Sequence, residues 1–284
     1  MYLKKKNFLI TGSTGFIGKR LLDHLRNKKI NITLVVREKS KINKRLIQDL
    51  SINKIISVKN IFSKKKSWWN QICKDIDVVI HLAWYVKHPE YINSKKNLEC
   101  YKGTIELAKA CVKNKVKKFV GLGTCAEYEP STKKLQRDSK LHSVNRYGRY
   151  KIKTFNHLKK IFKNKVNFLW CRVFYIYGEE QNSKRLFPYL NNIIKKNKKK
   201  AILSEGKQIR DFVHVEDAVR QIIKLVFSRY RGSVNICTGK PMSIKNFSKK
   251  VLKKSKRKIE LIFSKNKKNI FDPPFVIGVK TLDK

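Results

Sequence analysis

Five continuous apolar runs, NFLIT (7–11), INITLVV (30–36), DVVIHLA (77–83), KKFVGLG (117–123) and VNFLWCRV (166–173), punctuate the first part of the chain. Helix-like segments over 16–28, 95–114 and 145–163 separate them. Successive side chains of a strand point to opposite faces, so a strand apolar at every position is covered on both sides. Parallel strands need a crossover between them, usually a helix. The alternation therefore predicts an α/β fold, a doubly wound parallel sheet with helices on both faces. Residues 1–173 are expected to form this sheet domain. Lysine-rich helices and short strands follow, and 174–284 is expected to be mainly a smaller C-terminal domain, with 210–237 returning to the first.

The run at 8–20, FLITGSTGFIGKR, leads from a strand through three glycines into a helix. Gly12 permits a tight turn, and Gly15 lets an anion approach the backbone. Gly18 is expected to let the helix pack on the sheet, with the helix N-terminus facing phosphates. This context makes the turn a candidate dinucleotide site of the Rossmann type, with Thr14, Phe16 and Ile17 in the same turn as further cofactor contacts. An acidic residue about 20 positions past the glycines would bind a ribose 2′-hydroxyl and favour NAD. Arg37 stands there instead. An arginine pairs with a 2′-phosphate through charge-assisted hydrogen bonds, so NADP(H) is favoured over NAD(H). Glu38 would act in the opposite sense if turned inward.

The ordered set TGSTGFIG (11–18), DIDVVIHLA (75–83), GTCAEY (123–128), YGRYK (147–151), CRVFYIYG (171–178) and RDFVHVED (210–217) resembles the extended short-chain dehydrogenase/reductase family, the NAD-dependent epimerase/dehydratase group. The resemblance covers essentially the whole chain. It is nearest to nucleotide-sugar 4-ketoreductases of the CDP-abequose and CDP-paratose synthase kind. It implies Thr124, Tyr147 and Lys151 as the catalytic group: tyrosine moves the proton, lysine tunes it and binds the cofactor ribose, and threonine orients the substrate. Tyr147 and Lys151, four residues apart, share one helix face. A free tyrosine titrates near pH 10, and a nearby ammonium and an oxidised nicotinamide are both expected to favour its phenolate and lower that value. Asn60 stands where the family usually has an adenine-binding aspartate, followed by Ile61; Leu82 and Ala83 complete the implied cofactor contacts. Arg210 is implied to hold the substrate diphosphate, with Arg185 assisting and Tyr175 in place of a common asparagine; a structural ion pair of Arg210 with Asp211 or Asp217 is the alternative.

The expected function is thus reduction of C4 of a nucleotide-linked 4-keto-6-deoxyhexose in surface-polysaccharide sugar biosynthesis. The resembling 4,6-dehydratases carry an Asp-Glu pair after the threonine. Cys125 and Ala126 take those positions, and Glu127 is one place too far along, which argues against elimination. A C4 epimerase with retained NAD is the alternative enzyme. A non-catalytic nucleotide- or RNA-binding protein is the alternative of another class, which the retained tyrosine–lysine pair disfavours.

Lysine and arginine number 68 against 20 acidic residues, a net charge of +48. The lysines are spread through the chain and accompany abundant asparagine and isoleucine, which share A/T-rich codons, so a nucleic-acid partner is not expected. The six cysteines form no CxxC pair or zinc spacing, so no metal is expected. No apolar run reaches eighteen residues, and the N-terminal apolar stretch is too short for a signal peptide, which predicts a cytoplasmic protein without a membrane span. A homodimer through helices near 97–114 and 145–163 is implied by the resemblance. VIGVKTLDK (276–284) resembles a late strand-to-helix junction of the family, whose final helix has no counterpart in these 284 residues.

Overall fold

A computed structural model describes residues 5–38, 52–203, 206–255, 258–263 and 273–281. Six strands occupy its first part: β1 (Lys6–Thr11), β2 (Ile30–Arg37), β3 (Ile52–Val58), β4 (Val78–His81), β5 (Lys118–Thr124) and β6 (Asn167–Val173). Among them lie α1 (Phe16–Leu25), α2 (Lys66–Ile72), α3 (Lys96–Lys113) and α4 (Arg146–Phe162). Further along come β7 (Tyr175–Tyr177), α5 (Leu186–Lys195), β8 (Lys200–Leu203), β9 (Ile209–Arg210), β10 (Phe212–His214) and α6 (Val215–Phe227). The last elements are β11 (Gly232–Ile236), β12 (Met242–Ser243), α7 (Ile244–Leu252), β13 (Glu260–Phe263) and β14 (Phe275–Val276).

Seven strands form one sheet in the order β11-β6-β5-β4-β1-β2-β3, with every pairing parallel. The order reverses between β1 and β4, which opens a crevice at their carboxyl ends, the place where such sheets bind ligands. Both faces are buried, as the unbroken apolar runs require. Phe8 and Ile10 of β1 pack in one layer with Leu21, Leu25, Val219 and Ile222 of α1 and α6. Leu9 between them faces a second layer with Trp69, Leu107, Phe119, Phe162 and Trp170.

Within 210–237, α6 and β11 join this sheet, whereas β9 pairs with β12 and β14, and β10 with β7. Lys118 fastens the returning segment: its buried Nζ donates to the carbonyls of Leu225 and Ser228, each at 2.7 Å. A separate apolar cluster, Phe187, Leu190, Ile193, Ala201, Phe247, Val251 and Leu252, joins α5, β8 and α7. Among the described residues no helix is long and apolar enough to cross a membrane.

Candidate functional site

Thr11 ends β1 and the glycine turn follows at the crevice. Gly12 has φ 75°, and a Cβ there would lie 2.6 Å from the Ala83 nitrogen, so the turn presses against the segment leaving β4. Leu82 and Ala83 are held there, Leu82 N donating to Thr11 O at 3.0 Å and Ala83 N to Thr11 Oγ1 at 3.4 Å. His81 braces the same strand ends, sharing hydrogen bonds with Thr11 Oγ1 (2.8 Å) and Thr104 Oγ1 (3.0 Å). Burial lowers its pKa to about 3, so the imidazole is neutral.

The place of Gly18 corrects the sequence expectation. A Cβ on it would meet Gly12 O and, at 2.6 Å, Ser13 Cα, so the close packing is of helix against turn, not of helix against sheet. Gly15 is the N-cap of α1, with no side-chain capping bond and no acidic residue in the first turn. Beside it, among the described residues, the buried Ser13 hydroxyl lacks a hydrogen-bond partner. An uncapped helix start, a buried hydroxyl without a partner and a turn free of carboxylates fit a dinucleotide pyrophosphate. Thr14, Phe16 and Ile17 lie in this turn and the first turn of α1. Arg37 and Glu38 lie exposed at the end of β2. Asn60 Oδ1 accepts from Phe62 N at 2.9 Å, capping a short turn that buries Ile61, so its carbonyl already serves the fold.

Thr124 ends β5 and caps the one-turn helix Cys125–Glu127. Thr124 Oγ1 accepts from Ala126 N at 3.2 Å, and Glu127 Oε1 accepts from Thr124 N at 2.9 Å. Glu127 is fully buried, and its charge is felt by both Tyr147 and Lys151. Its carboxylate accepts from Trp170 Nε1 at 3.1 Å and pairs with Arg172 Nε at 2.7 Å, both partners also buried. Gly123 leaves room for this carboxylate, since a Cβ there would lie 2.5 Å from Glu127 Oε1. Burial pushes the Cys125 thiol up to about 12. Positions 125 and 126 thus present a thiol and a methyl group, and the nearby carboxylate of Glu127 is paired with Arg172.

Tyr147 and Lys151 lie one turn apart on α4, with Lys151 Nζ 5.8 Å from the Tyr147 ring centroid. In the protein without cofactor the ammonium alone does not lower the Tyr147 pKa. Burial raises the Tyr147 pKa, helped by Tyr91 and Glu127 and opposed by a hydrogen bond with the Thr124 side chain. Burial also lowers Lys151 to about 7, with Glu127 and Cys100 opposing. Desolvation outweighs the neighbouring charge for both groups. The phenol therefore keeps its proton, the form a proton donor requires.

Around this group, the Tyr91 ring stands edge-on to Tyr147 at 4.9 Å, and the Arg185 guanidinium lies 5.3 Å from the Tyr91 centroid. Arg210 is buried, with its guanidinium 5.0 Å from the Tyr175 ring and Nη1 donating to Ile209 O. It lies near enough to Cys125 to oppose the rise of that thiol's pKa, which links it to the Thr124 end of the cleft. Asp211 accepts instead from Thr238 N, Thr238 Oγ1, Gly239 N and Gly278 N, and Asp217 is bonded to Arg220. Sequence reasoning missed Trp84, Tyr91 and Arg172. The first two stand in WYVKHPEY (84–91), whose aromatic content was the available signal.

A parallel sheet with its order reversal at β1 and β4, and a glycine turn bare of side chains at that reversal, define a dinucleotide-binding oxidoreductase scaffold. The chain belongs to the NAD dependent epimerase/dehydratase family, whose model matches residues 8–237. It is 28% identical over 276 residues to the dTDP-D-glucose 4,6-dehydratase of Dictyostelium discoideum, covering 87% of this chain but only 62% of that protein. It is 22% identical over 289 residues to the dTDP-6-deoxy-L-talose 4-dehydrogenase (NAD(+)) of Aggregatibacter actinomycetemcomitans, covering 96% of this chain and 100% of that one. Among solved structures, MoeE5 in complex with UDP-glucuronic acid and NAD superposes with a TM-score of 0.81 at 22% identity, over 97% of this chain and 90% of that one.

Proposed function

We propose that this chain reduces C4 of a nucleotide-linked 4-keto-6-deoxyhexose to the alcohol, serves surface-polysaccharide sugar biosynthesis in the cytoplasm, and uses NADP(H) in preference to NAD(H). The observation that carries the reading is the grouping of Tyr147 and Lys151, one turn apart on α4, with Thr124 at the end of β5, and with the carboxylate of Glu127 paired to Arg172. A nicotinamide held at the glycine turn would supply hydride chemistry at C4. Tyr147 Oη donates its proton to the C4 oxygen, and Thr124 Oγ1 orients that oxygen by a hydrogen bond. Lys151 Nζ holds the cofactor ribose and, when charged, stabilises the phenolate left behind. Glycines 12, 15 and 18 admit the pyrophosphate, Asn60 and Ile61 border the adenine, and Leu82 and Ala83 wall the crevice. Arg210 and Arg185 pair with the substrate diphosphate, with Tyr175 alongside. Pairing of two copies through α3 and α4 belongs to the same reading.

The Aggregatibacter relative supports oxidoreduction at C4 of a nucleotide-linked 6-deoxyhexose, though its name carries NAD(+). The family match supports a C4 epimerase with retained NAD as a second reading. Cofactor accounting separates them. A reductase consumes one NADPH for each ketone reduced, and the expected result is stoichiometric loss of NADPH absorbance with a nucleotide 4-keto-6-deoxyhexose and none with the parent nucleotide-hexose. Interconversion of two C4 epimers without added cofactor, by protein purified with bound NAD, would exclude the reductase.

The cofactor preference rests on Arg37. Arg37→Asp is expected to weaken NADPH binding by one to two decades more than NADH binding, since losing a charge-assisted hydrogen bond costs roughly 1.5–3 kcal/mol. Titration of both cofactors against the wild type and the variant decides. Equal affinities in the wild type, unchanged in the variant, remove Arg37 from phosphate recognition.

A further inference from the structure

Lys151 is buried among partners that the reaction does not explain. Its Nζ donates to Leu122 O at 2.7 Å and lies 3.7 Å from the centre of the Trp84 ring. Contacts this close between an ammonium and an indole face, away from water, are the strongest of the cation–π kind. The indole is itself held: Trp84 Nε1 donates to Asn97 Oδ1 at 2.9 Å. Asn97, fully buried on α3, donates in turn to Tyr91 O at 2.7 Å and Ser94 O at 3.0 Å. Tyr91 is the residue whose ring meets Tyr147. One run of contacts therefore joins the lysine to the tyrosine through the segment between β4 and α3, separately from the helix that carries both.

We infer that Trp84 is a positioning residue for Lys151, its indole face holding the ammonium in charged form in the cleft and its link to Asn97 fixing that face. The inference rests on the reading of Lys151 given above, but it concerns a property of the protein without cofactor or substrate. The charged and titratable groups facing Lys151 are Glu127 from the turn after β5, Cys100 from α3, His81 from β4 and Tyr147 on its own helix. Of these, Glu127 and Cys100 raise the lysine's pKa. Glu127 already belongs to Arg172, and the Cys100 thiol is itself pushed up to about 11 by burial. The Leu122 carbonyl and the π face of Trp84 at 3.7 Å both favour the cation, and Trp84 lies nearer than the other aromatic face, Trp170 at 5.6 Å.

The test follows the indole N–H resonances of the cofactor-free protein against pH. The chain has only four tryptophans. The Trp170 ring lies 5.6 Å from Lys151 Nζ, so its resonance reports the lysine even where Trp84 is replaced. In the wild type, the Trp84 and Trp170 resonances are expected to move together with one midpoint near neutral pH, and Lys151→Met is expected to abolish that movement. Trp84→Phe keeps an aromatic face and is expected to hold the midpoint within about half a unit. Trp84→Leu keeps apolar bulk without the face, and is expected to lower the midpoint by about one unit, a tenfold loss in the ammonium's hold on its proton. Unperturbed resonances of the two tryptophans on α2 establish that each variant is folded. An unchanged midpoint in Trp84→Leu overturns the inference. So does a raised one, which would make the indole merely a plug that keeps water from the lysine. Failure of the reductase reading would appear in the cofactor accounting and leave these midpoints where they are.

Discussion

Tyr147→Phe is expected to lower turnover by roughly 100-fold or more, the scale for a lost general acid. The substitution removes one oxygen and keeps the ring, so the edge-on packing against Tyr91 survives and with it the fold of α4. Cofactor affinity is expected to remain, since the glycine turn lies on other elements. The measurement is single-turnover reduction of the 4-keto substrate, with cofactor binding determined separately. Near-normal turnover would take Tyr147 out of the mechanism. Because burial already holds the phenol protonated, the wild type needs no titration of Tyr147 to become a donor as pH falls toward neutrality.

Glu127→Ala is expected to destabilise the protein by about 3–5 kcal/mol, because Arg172 is left charged and buried without its partner. The loss is not confined to stability. Thr124 N loses its acceptor, so the turn that presents Thr124 Oγ1 to the cleft loosens as well. Urea unfolding measures the first effect. Replacing both partners, Glu127→Leu with Arg172→Met, is expected to recover much of it, since two apolar side chains leave no uncompensated charge. A urea midpoint for Glu127→Ala equal to that of the wild type would contradict this account. So would a double variant no more stable than the single one.

The central strands were legible because their residues are apolar at every position, and the helices between them because their patterns are amphipathic. β3 was harder to see. It lies at the sheet edge, with Lys54 and Ile55 both exposed, and its pattern breaks accordingly. The glycine turn and the spacing of Tyr147 and Lys151 are local patterns, and the fold carries them at the start of α1 and on α4. What escaped were properties set by distant partners. Arg172 lies 45 positions from the carboxylate it neutralises, and Trp84 reaches Lys151 from the segment between β4 and α3. The raised pKa of Tyr147 in the protein without cofactor is of the same kind. A sequence displays a neighbouring lysine, but not the depth of burial that outweighs it.

Arg210 and Asp211 are adjacent in the chain and have separate tasks. The arginine lies against Tyr175, and the aspartate is gripped by Thr238, Gly239 and Gly278. The backbone that carries the guanidinium is thus anchored through Asp211 to two loops, at 238–239 and at 278. Such an arrangement separates what is recognised from where it is recognised. With Arg210 on the substrate diphosphate, as proposed, inserting or deleting residues in those loops would carry the same positive group toward or away from the cleft and alter the length of sugar nucleotide that fits between it and Tyr147. A lineage built this way can change its substrate by resizing its mounts, with the chemistry and the anion contact both inherited intact.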